Sequence, residues 1–437
     1  MIASTIGKTF IKAYNQEFGT TFTAKTFFAE VFFKLFYDDE KYFQWVQNSP
    51  FVQGIKKGQP PNAQERAEKL QRLVVKVEEG ATDASVAIGY SSTDVLATTS
   101  GQVSNLAIHI DEEEVYASWI GGGLGIGVKG GFSFYINEPN ILMALFDGWQ
   151  YYRNYLTEIP KLRPNQIETW NGQWLAHTCN KRFFNSNNPT AGFDPFNTSK
   201  QGVVELATQT WVKVVFGLAQ TFPNQQLLAY VFSLGQTNKT VGFIPILLPK
   251  VRKPIQLYKR LFGENRYWKD ANIIEQIFGH KNSLYQACQL GAIGVRALEP
   301  RALRDLMWKP DKKINYKPND DLQLVTFQTY ITWILAMLNN EQLYDLAKEI
   351  TQLFLRYEST SERGKMTKTR AIENLLKSKS PDLFLQELLS VVEEASPEEA
   401  LKLADLVVEV NKLRNDNFRR FLTLLKLTYT IEKKQNS

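Results

Sequence analysis

A glycine-rich stretch in the first half of the chain has the residue types that could bind a phosphate group. Residues 120–134 read IGGGLGIGVKGGFSF and contain a literal G-x-G-x-x-G from Gly125 through Gly127 to Gly130. In dinucleotide-binding proteins this motif opens a helix whose N-terminus faces the pyrophosphate. Here the following residues, 132–136, favour a strand, and no H-R-D or D-F-G sequence is present to indicate a kinase. Two interpretations stay open: a flexible hairpin without a ligand, or bare backbone that approaches a nucleic-acid chain, with Lys129 supplying charge.

Residue pairs typical of catalysis are sparse. His177 and Cys179 are near in sequence, and a Cys–His pair can support nucleophilic catalysis, although such proximity usually arises by chance. The chain has no C-x-x-C, no H-E-x-x-H and no G-x-x-x-x-G-K-[ST]. The acidic run at 111–114 reads as a solvated turn before a strand at 115–120. We therefore expect no enzyme activity, no cofactor and no metal site.

A long polar segment, 157–201, carries amide side chains between aromatic residues. Asn171 and Gln173 lie between Trp170 and Trp174 in the sequence WNGQW. Amides can read base edges, cations can meet phosphates, and tryptophan can stack on an exposed base. In the competing interpretation, the two tryptophans anchor the segment in the core and the amides satisfy its backbone. The residues that follow add further candidate contacts: Asn180, Lys181 and Arg182.

The positive charge of the chain is concentrated in one segment. The net charge is +6, and the excess lies in residues 250–306. A localised basic segment is the footprint expected of a polyanion contact, whereas the competing interpretation is an ordinary solvated surface. Tyr258, Tyr267 and Trp268 interleave with the cations, which suits a nucleic-acid backbone: Lys250, Arg252, Lys253, Lys259, Arg260 and Arg266.

The elements that would position these residues suggest an α+β protein. A mixed α/β N-terminal body is expected over 1–249, with strands in 84–110, a glycine loop at 121–131 and a polar loop at 157–201. A basic linking segment at 250–318 would join it to an all-helical bundle at 319–437. Serine followed by proline at 380–381 and 396–397 predicts two helix starts in that bundle.

Cysteine usage and hydropathy indicate a compartment. Only Cys179 and Cys288 are present, and a disulfide between them is not expected in a reducing environment. The sequence shows no signal peptide and no apolar run long enough to span a bilayer. We therefore expect a cytoplasmic protein that does not enter a membrane.

The order of these features resembles the large subunit of type I CRISPR Cascade effector complexes, most closely those of subtype B. The resemblance covers most of the chain in layout: a body with a glycine loop, a basic middle, and a helical end that contains 417–426, NFRRFLTLLK, with Arg419 and Arg420. It implies a non-catalytic subunit that recognises the protospacer-adjacent motif and stabilises the R-loop, with the glycine loop or the amides of Asn171 and Gln173 at the motif.

The resemblance also implies partners. These would be guide RNA, target DNA, the backbone and guide-processing subunits, and a separate helicase–nuclease that cuts the DNA. The C-terminal bundle would resemble the small subunit, which an internal start at Met307 would produce as a separate chain. Two other functions stay open from the sequence: a nucleotide-using or nuclease-type defence enzyme, and a stand-alone RNA-binding scaffold.

Overall fold

The computed structural model describes the chain as two units. The described residues are 1–47, 49–56, 58–79, 86–90, 111–233, 240–279, 283–309, 311–359 and 365–435. They divide into units of residues 1–248 and 249–437. The first unit combines helices with antiparallel strands, and the second is helical throughout its described part. The expected α+β class with a helical C-terminal region is therefore confirmed.

Helices provide most of the first unit. A π-helical turn, Phe28–Phe32, continues the second helix into the third. The α-helices are α1 Ile2–Phe18, α2 Ala24–Phe27, α3 Phe33–Phe36, α4 Ala63–Glu78, α5 Glu112–Gly122, α6 Pro139–Glu158, α7 Ile167–Thr178 and α8 Trp211–Thr221.

The strands of the first unit form a four-stranded antiparallel sheet and a separate hairpin. The sheet order is β1-β2-β5-β6, and β3 pairs with β4. In the sheet, Ile126 pairs with Phe134, Tyr135 with Tyr230, and Tyr230 with Phe243. The strands are β1 Ile126–Val128, β2 Phe132–Ile136, β3 Phe196–Thr198, β4 Val204–Leu206, β5 Gln226–Ser233 and β6 Thr240–Leu247.

An aromatic core holds the first unit together, as the phenylalanine spacing of its first helices predicts. Phe32 and Phe36 stack with ring centroids 3.9 Å apart, and Trp149 of α6 meets the Phe36 ring edge-on at 4.7 Å. Buried aromatic side chains each remove a large apolar area from water, which drives this packing.

The second unit consists of helices over its described length, with one 3₁₀ turn at Val295–Leu298. Ser380 and Ser396 cap their helices as predicted, and Glu399 completes a capping box with Ser396. The helices are α9 Leu248–Phe262, α10 Glu264–Ile277, α11 Leu284–Cys288, α12 Leu303–Trp308, α13 Asp321–Leu338, α14 Gln342–Ser359, α15 Lys365–Leu376, α16 Pro381–Val392, α17 Pro397–Lys412 and α18 Asn415–Gln435.

Three sequence expectations were wrong. Residues 115–120 form helix α5 and not a strand, because Asp111 accepts the amide of Glu114 and starts a helix. The helix is buried from Val115 to Gly122, so its sequence has no polar face to reveal a helical period.

The polar segment 157–201 contains helix α7, and the expected linking segment 250–318 contains most of α9 and all of α10 to α12. Most of the strands expected in 84–110 lie outside the described residues; residues 86–90 form turns.

Candidate nucleic-acid interface

The glycine stretch is packed inside the first unit and exposes only its tip. Gly125 and Gly127 are buried, and a Cβ built on Gly127 would lie 2.9 Å from the carbonyl carbon of Glu168 in α7. A Cβ on Gly172 of α7 would lie 2.2 Å from the carbonyl oxygen of Gly127. These glycines therefore let α7 approach β1 closely, and their backbone does not line the surface that a nucleic acid would contact.

The exposed tip is a short turn between β1 and β2. Gly130 and Gly131 have φ angles of 101° and 75°, a left-handed backbone that favours glycine. Lys129 is exposed, and its backbone N–H donates to the carbonyl of Gln209 at 2.8 Å. Of the predicted loop residues, Lys129 and Gly130 are thus the two that a ligand can reach.

The amides of α7 act on the protein's own backbone. Asn171 is fully buried, and its Nδ2 donates to the carbonyls of Gly123 and Gly125, each at 2.8 Å. Its Oδ1 accepts from Trp149 Nε1 at 3.3 Å. Gln173 Nε2 donates to the carbonyl of Ala207. The interpretation in which amides satisfy the backbone therefore describes this structure, and neither side chain is placed to read a base.

The aromatic residues of α7 also contact other groups of the protein itself. Trp170 and Trp174 are buried and stack with centroids 5.8 Å apart. His177 Nε2 lies 2.8 Å from the carbonyl oxygen of Pro189, so this nitrogen carries the proton and donates. Burial raises the pKa of the Cys179 thiol to about 11, which favours its protonated, unreactive form at neutral pH. Cys179 and Cys288 are both free thiols.

The residues after α7 reach the surface. Asn180 is half-buried, and its carbonyl accepts the N–H groups of Phe183 and Phe184. Lys181 and Arg182 are exposed, with the Arg182 guanidinium carbon 5.6 Å from the centroid of the Phe183 ring. This turn presents cations near Phe183, but Asn171 and Gln173, the amides expected to act with them, donate to backbone carbonyls of the protein itself.

Helix α9 gathers four predicted cations on one side. Arg252, Lys253, Lys259 and Arg260, together with Gln256, follow the spacing i, i+1, i+4, i+7, i+8, which places them on a single helix face. Val251, Ile255 and Tyr258 are buried on the opposite face. We call the five polar residues the α9 basic face. At 1.5 Å per residue, it extends roughly 12 Å along the axis.

Acidic and amide groups within the second unit contact the α9 basic face. Arg260 pairs with Glu341, and Lys253 donates to Asn339 Oδ1. Lys259 Nζ lies 3.2 Å from Glu264 Oε1. The side chains of Arg260 and Glu341 are 59% and 41% exposed, so solvent screens this pair and its net contribution is small. A phosphate could replace such a carboxylate at little cost.

Aromatic rings adjoin one end of the α9 basic face. Lys259 Nζ lies 4.0 Å from the centroid of Trp268 and 4.9 Å from that of Tyr267, within the range of a cation–π contact. Tyr267 is fully buried, whereas Trp268 is half-buried. Arg266, also predicted as a contact, lies 3.9 Å from Asp270 one helical turn later.

The last predicted cations contact their own unit. The Arg419 guanidinium carbon lies 4.4 Å from the centroid of Trp308. Arg420 Nη1 donates to Asn417 Oδ1 at 2.7 Å, and burial lowers the pKa of this guanidinium. Lys250 is exposed at the start of α9. The structure thus joins four predicted cations on one helix face and distributes the others. Gln256, which the sequence analysis missed, is recognisable from its spacing of four after Arg252.

Comparison with protein-family models, with curated proteins and with solved structures gives no match to this chain in any of the three. Among the described residues, no helix combines the length and hydrophobicity that crossing a membrane requires. The same part of the chain has no cluster of three or more metal-ligating side chains.

Proposed function

We propose that this chain is a non-catalytic, nucleic-acid-binding subunit of a CRISPR RNA-guided DNA surveillance complex, the role of the Cascade large subunit that its sequence layout resembles. In this role it would act in the cytoplasm with guide RNA, target DNA and the complex's other protein subunits. A separate helicase–nuclease would break the DNA. The single observation that carries the proposal is the α9 basic face.

The α9 basic face suits a phosphodiester backbone in charge and length. One DNA strand carries a phosphate about every 3.4 Å of duplex axis, so a 12 Å face would reach about three or four phosphates. Arginine and lysine contacts to phosphates position a protein on nucleic acid and carry no base sequence. Sequence recognition would therefore belong to the guide RNA and to other contacts.

The proposed contact would exchange ion pairs within the protein for ion pairs with phosphate. The guanidinium of Arg260 would exchange the Glu341 carboxylate for a phosphate, with which it can form two parallel hydrogen bonds. Lys259 would do the same from Glu264 while keeping its contact with Trp268. Because the present pairs are solvent-screened, their loss costs about 1 kcal/mol or less each.

A neutralising variant tests the proposal. In the full chain, Arg252, Lys253, Lys259 and Arg260 would each be replaced by glutamine, and the affinity for duplex and single-stranded oligonucleotides measured across a salt series. The slope of log affinity against log salt is expected to decrease by about 0.9 for each lost duplex contact and by about 0.7 for each lost single-strand contact.

The matched control removes the same charge from exposed sites elsewhere in the second unit, by glutamine at Lys379, Lys412, Arg414 and Lys434. It separates a local contact from the effect of net charge. Equal slopes for the two variants would remove the α9 basic face from the interface and the main support for the proposal.

A further inference from the structure

A groove of about 400 Å³ lies on the first unit, lined by residues of the start of α1 and of β2, β5 and β6. A volume of this order is typical of a small-ligand site. The groove is mainly apolar and is lined by Ile2, Thr5, Ile6, Tyr135, Ile136, Asn137, Glu138, Gln226, Leu227, Leu228, Tyr230 and Phe243. We call it the sheet groove. It contains none of the residues discussed above as nucleic-acid contacts.

A row of aromatic side chains forms one wall of the sheet groove. Tyr135, Tyr230 and Phe243 are directly paired on three neighbouring strands, and side chains of paired residues point to the same face of a sheet. The Tyr230 and Phe243 rings lie 5.2 Å apart at an interplanar angle of 58°, which makes an open corner. Phe243 is 58% exposed, so its ring is accessible to a ligand.

The charge of the sheet groove is negative. Apart from two tyrosines, Glu138 is the one ionisable residue among the twelve described residues that line the groove. A groove lined by a carboxylate and by aromatic rings favours a cation, because both the charge and the ring quadrupoles attract it. A phosphate would meet repulsion from Glu138. Arginine fits better than lysine, since its planar guanidinium stacks on rings and can donate two hydrogen bonds to a carboxylate.

The edge strand β6 beside the sheet groove indicates that the cation bound there is a side chain of a peptide. β6, which carries Phe243, is the last strand in the sheet order and pairs only with β5 in the described part of the chain. Pro245 lies within β6, and proline is tolerated at sheet edges because it lacks an N–H. An extended segment can add to such an edge and insert alternate side chains into adjacent pockets.

We propose that the sheet groove binds the arginine side chain of an extended segment of a partner protein. The guanidinium would stack in the corner between Tyr230 and Phe243 and pair with Glu138. Its aliphatic stem would contact Leu228, which is 54% exposed. This partner contact does not depend on the α9 basic face, so the groove and the proposed function can fail separately.

The test compares two peptides on the full chain. One has the sequence acetyl-Thr-Val-Thr-Arg-Thr-Val-Thr-amide, and the other carries citrulline, the neutral isostere, in place of arginine. We expect the arginine peptide to bind roughly two- to 30-fold more tightly, the range of a cation–π contact. Equal affinities, or no binding of the arginine peptide at millimolar concentration, would overturn the proposal.

Protein variants locate the contact. Phe243→Leu should remove most of the difference between the peptides, and Glu138→Gln should reduce it by up to about fivefold. Phe183→Leu is the matched control, because Phe183 is likewise an exposed aromatic residue of the first unit, and it should leave both affinities unchanged. A different outcome would show a base-stacking site and make the proposal wrong. In that outcome, the unaltered protein binds both peptides equally, and Phe243→Leu lowers its affinity for a single-stranded oligonucleotide.

Discussion

At the scale of single residues, Glu114 joins three parts of the first unit. Its carboxylate pairs with Lys8 of α1 and accepts from the hydroxyl of Tyr90 at 2.9 Å. Burial acts to raise the pKa of Glu114, but hydrogen bonds from Lys8, Ser4 and Tyr90 outweigh it and lower the pKa to about 2. The ionised carboxylate is therefore more favourable in the folded protein than in the unfolded chain.

This lowered pKa predicts an acid-dependent loss of stability. A depressed carboxyl pKa contributes stability that is present above the unfolded value, 4.5, and is lost as the pH falls towards about 2. Glu114→Gln should therefore lower the melting temperature at pH 7 and flatten its decline in this window. Because Lys8 is 42% exposed, the contribution is at most about 1 kcal/mol. Thermal melts at several pH values measure it. Glu30→Gln, at an exposed site of the first unit, is the control, and equal acid slopes for Glu114→Gln and the unaltered protein would contradict the prediction.

The amides of α7 show what the sequence does not reveal at this scale. A Trp-Asn-Gly-Gln-Trp stretch is compatible with base recognition and with backbone support, because both use the same donors and acceptors. The partners of Asn171 are the carbonyls of Gly123 and Gly125, which are remote in sequence. Tryptophan is usually buried, which favours backbone support over base recognition. Residue type alone, however, does not determine which face of a helix packs against the rest of the protein.

At the scale of elements, glycines allow α1 and α5 to approach closely. A Cβ on Gly7 would lie 2.0 Å from the carbonyl oxygen of Ala117, and a Cβ on Gly121 would lie 1.9 Å from that of Ala3. Both neighbours are backbone atoms, which cannot rotate away as a side chain can. The first glycines of the 120–134 stretch thus complete a helix crossing, whereas the sequence analysis placed them in a glycine loop at 121–131.

Alanine at either glycine should destabilise the first unit. Gly7→Ala or Gly121→Ala must separate the two helices, and we expect overpacking to cost about 1–3 kcal/mol, even though alanine favours a helix by about 1 kcal/mol over glycine. Urea unfolding measures the change in the free energy of unfolding. Lys12→Ala, at an exposed position of α1, should be nearly neutral. Unfolding midpoints for the glycine variants that equal that of Lys12→Ala would contradict the tight crossing.

Helices with one apolar face were predictable from their period, whereas the buried helix α5 was not. The amphipathic helix α4 and the capped helices α16 and α17 have polar faces and clear start signals. Helix α5 has almost no contrast between a polar and an apolar face, because it is buried from Val115 onward. The α9 basic face lies between these cases: its cations were evident in the sequence, but only the helix shows that they share a side.

At the scale of the whole molecule, the helical unit begins well before the bundle that the sequence predicted. Helix α13 forms hydrogen bonds with earlier segments: Trp333 Nε1 donates to the carbonyl of Val295 at 2.8 Å, and the Tyr330 hydroxyl donates to that of Arg301 at 2.6 Å. Tyr258 of α9 donates to Gln328 at 2.9 Å. Met307, the expected internal start, is itself buried within α12. The sequence predicted a linking segment at 250–318 because its composition shows the excess of positive charge. Composition does not show the hydrogen bonds that join this segment to α13.

These contacts predict that the second unit folds as residues 249–437 and not as the product that would start at Met307. A 307–437 chain would leave Trp333 and Tyr330 without their carbonyl partners and would expose the apolar surface that α10 covers on α13. We expect 249–437 to melt cooperatively with blue-shifted tryptophan emission, and 307–437 to emit at longer wavelength without a cooperative transition. Adding a separate 249–306 peptide should partly restore both signals if the missing contacts are the cause. A 307–437 chain that melts as sharply and at the same temperature as 249–437 would contradict this account, and it would leave internal initiation at Met307 a physically sound source of a small subunit.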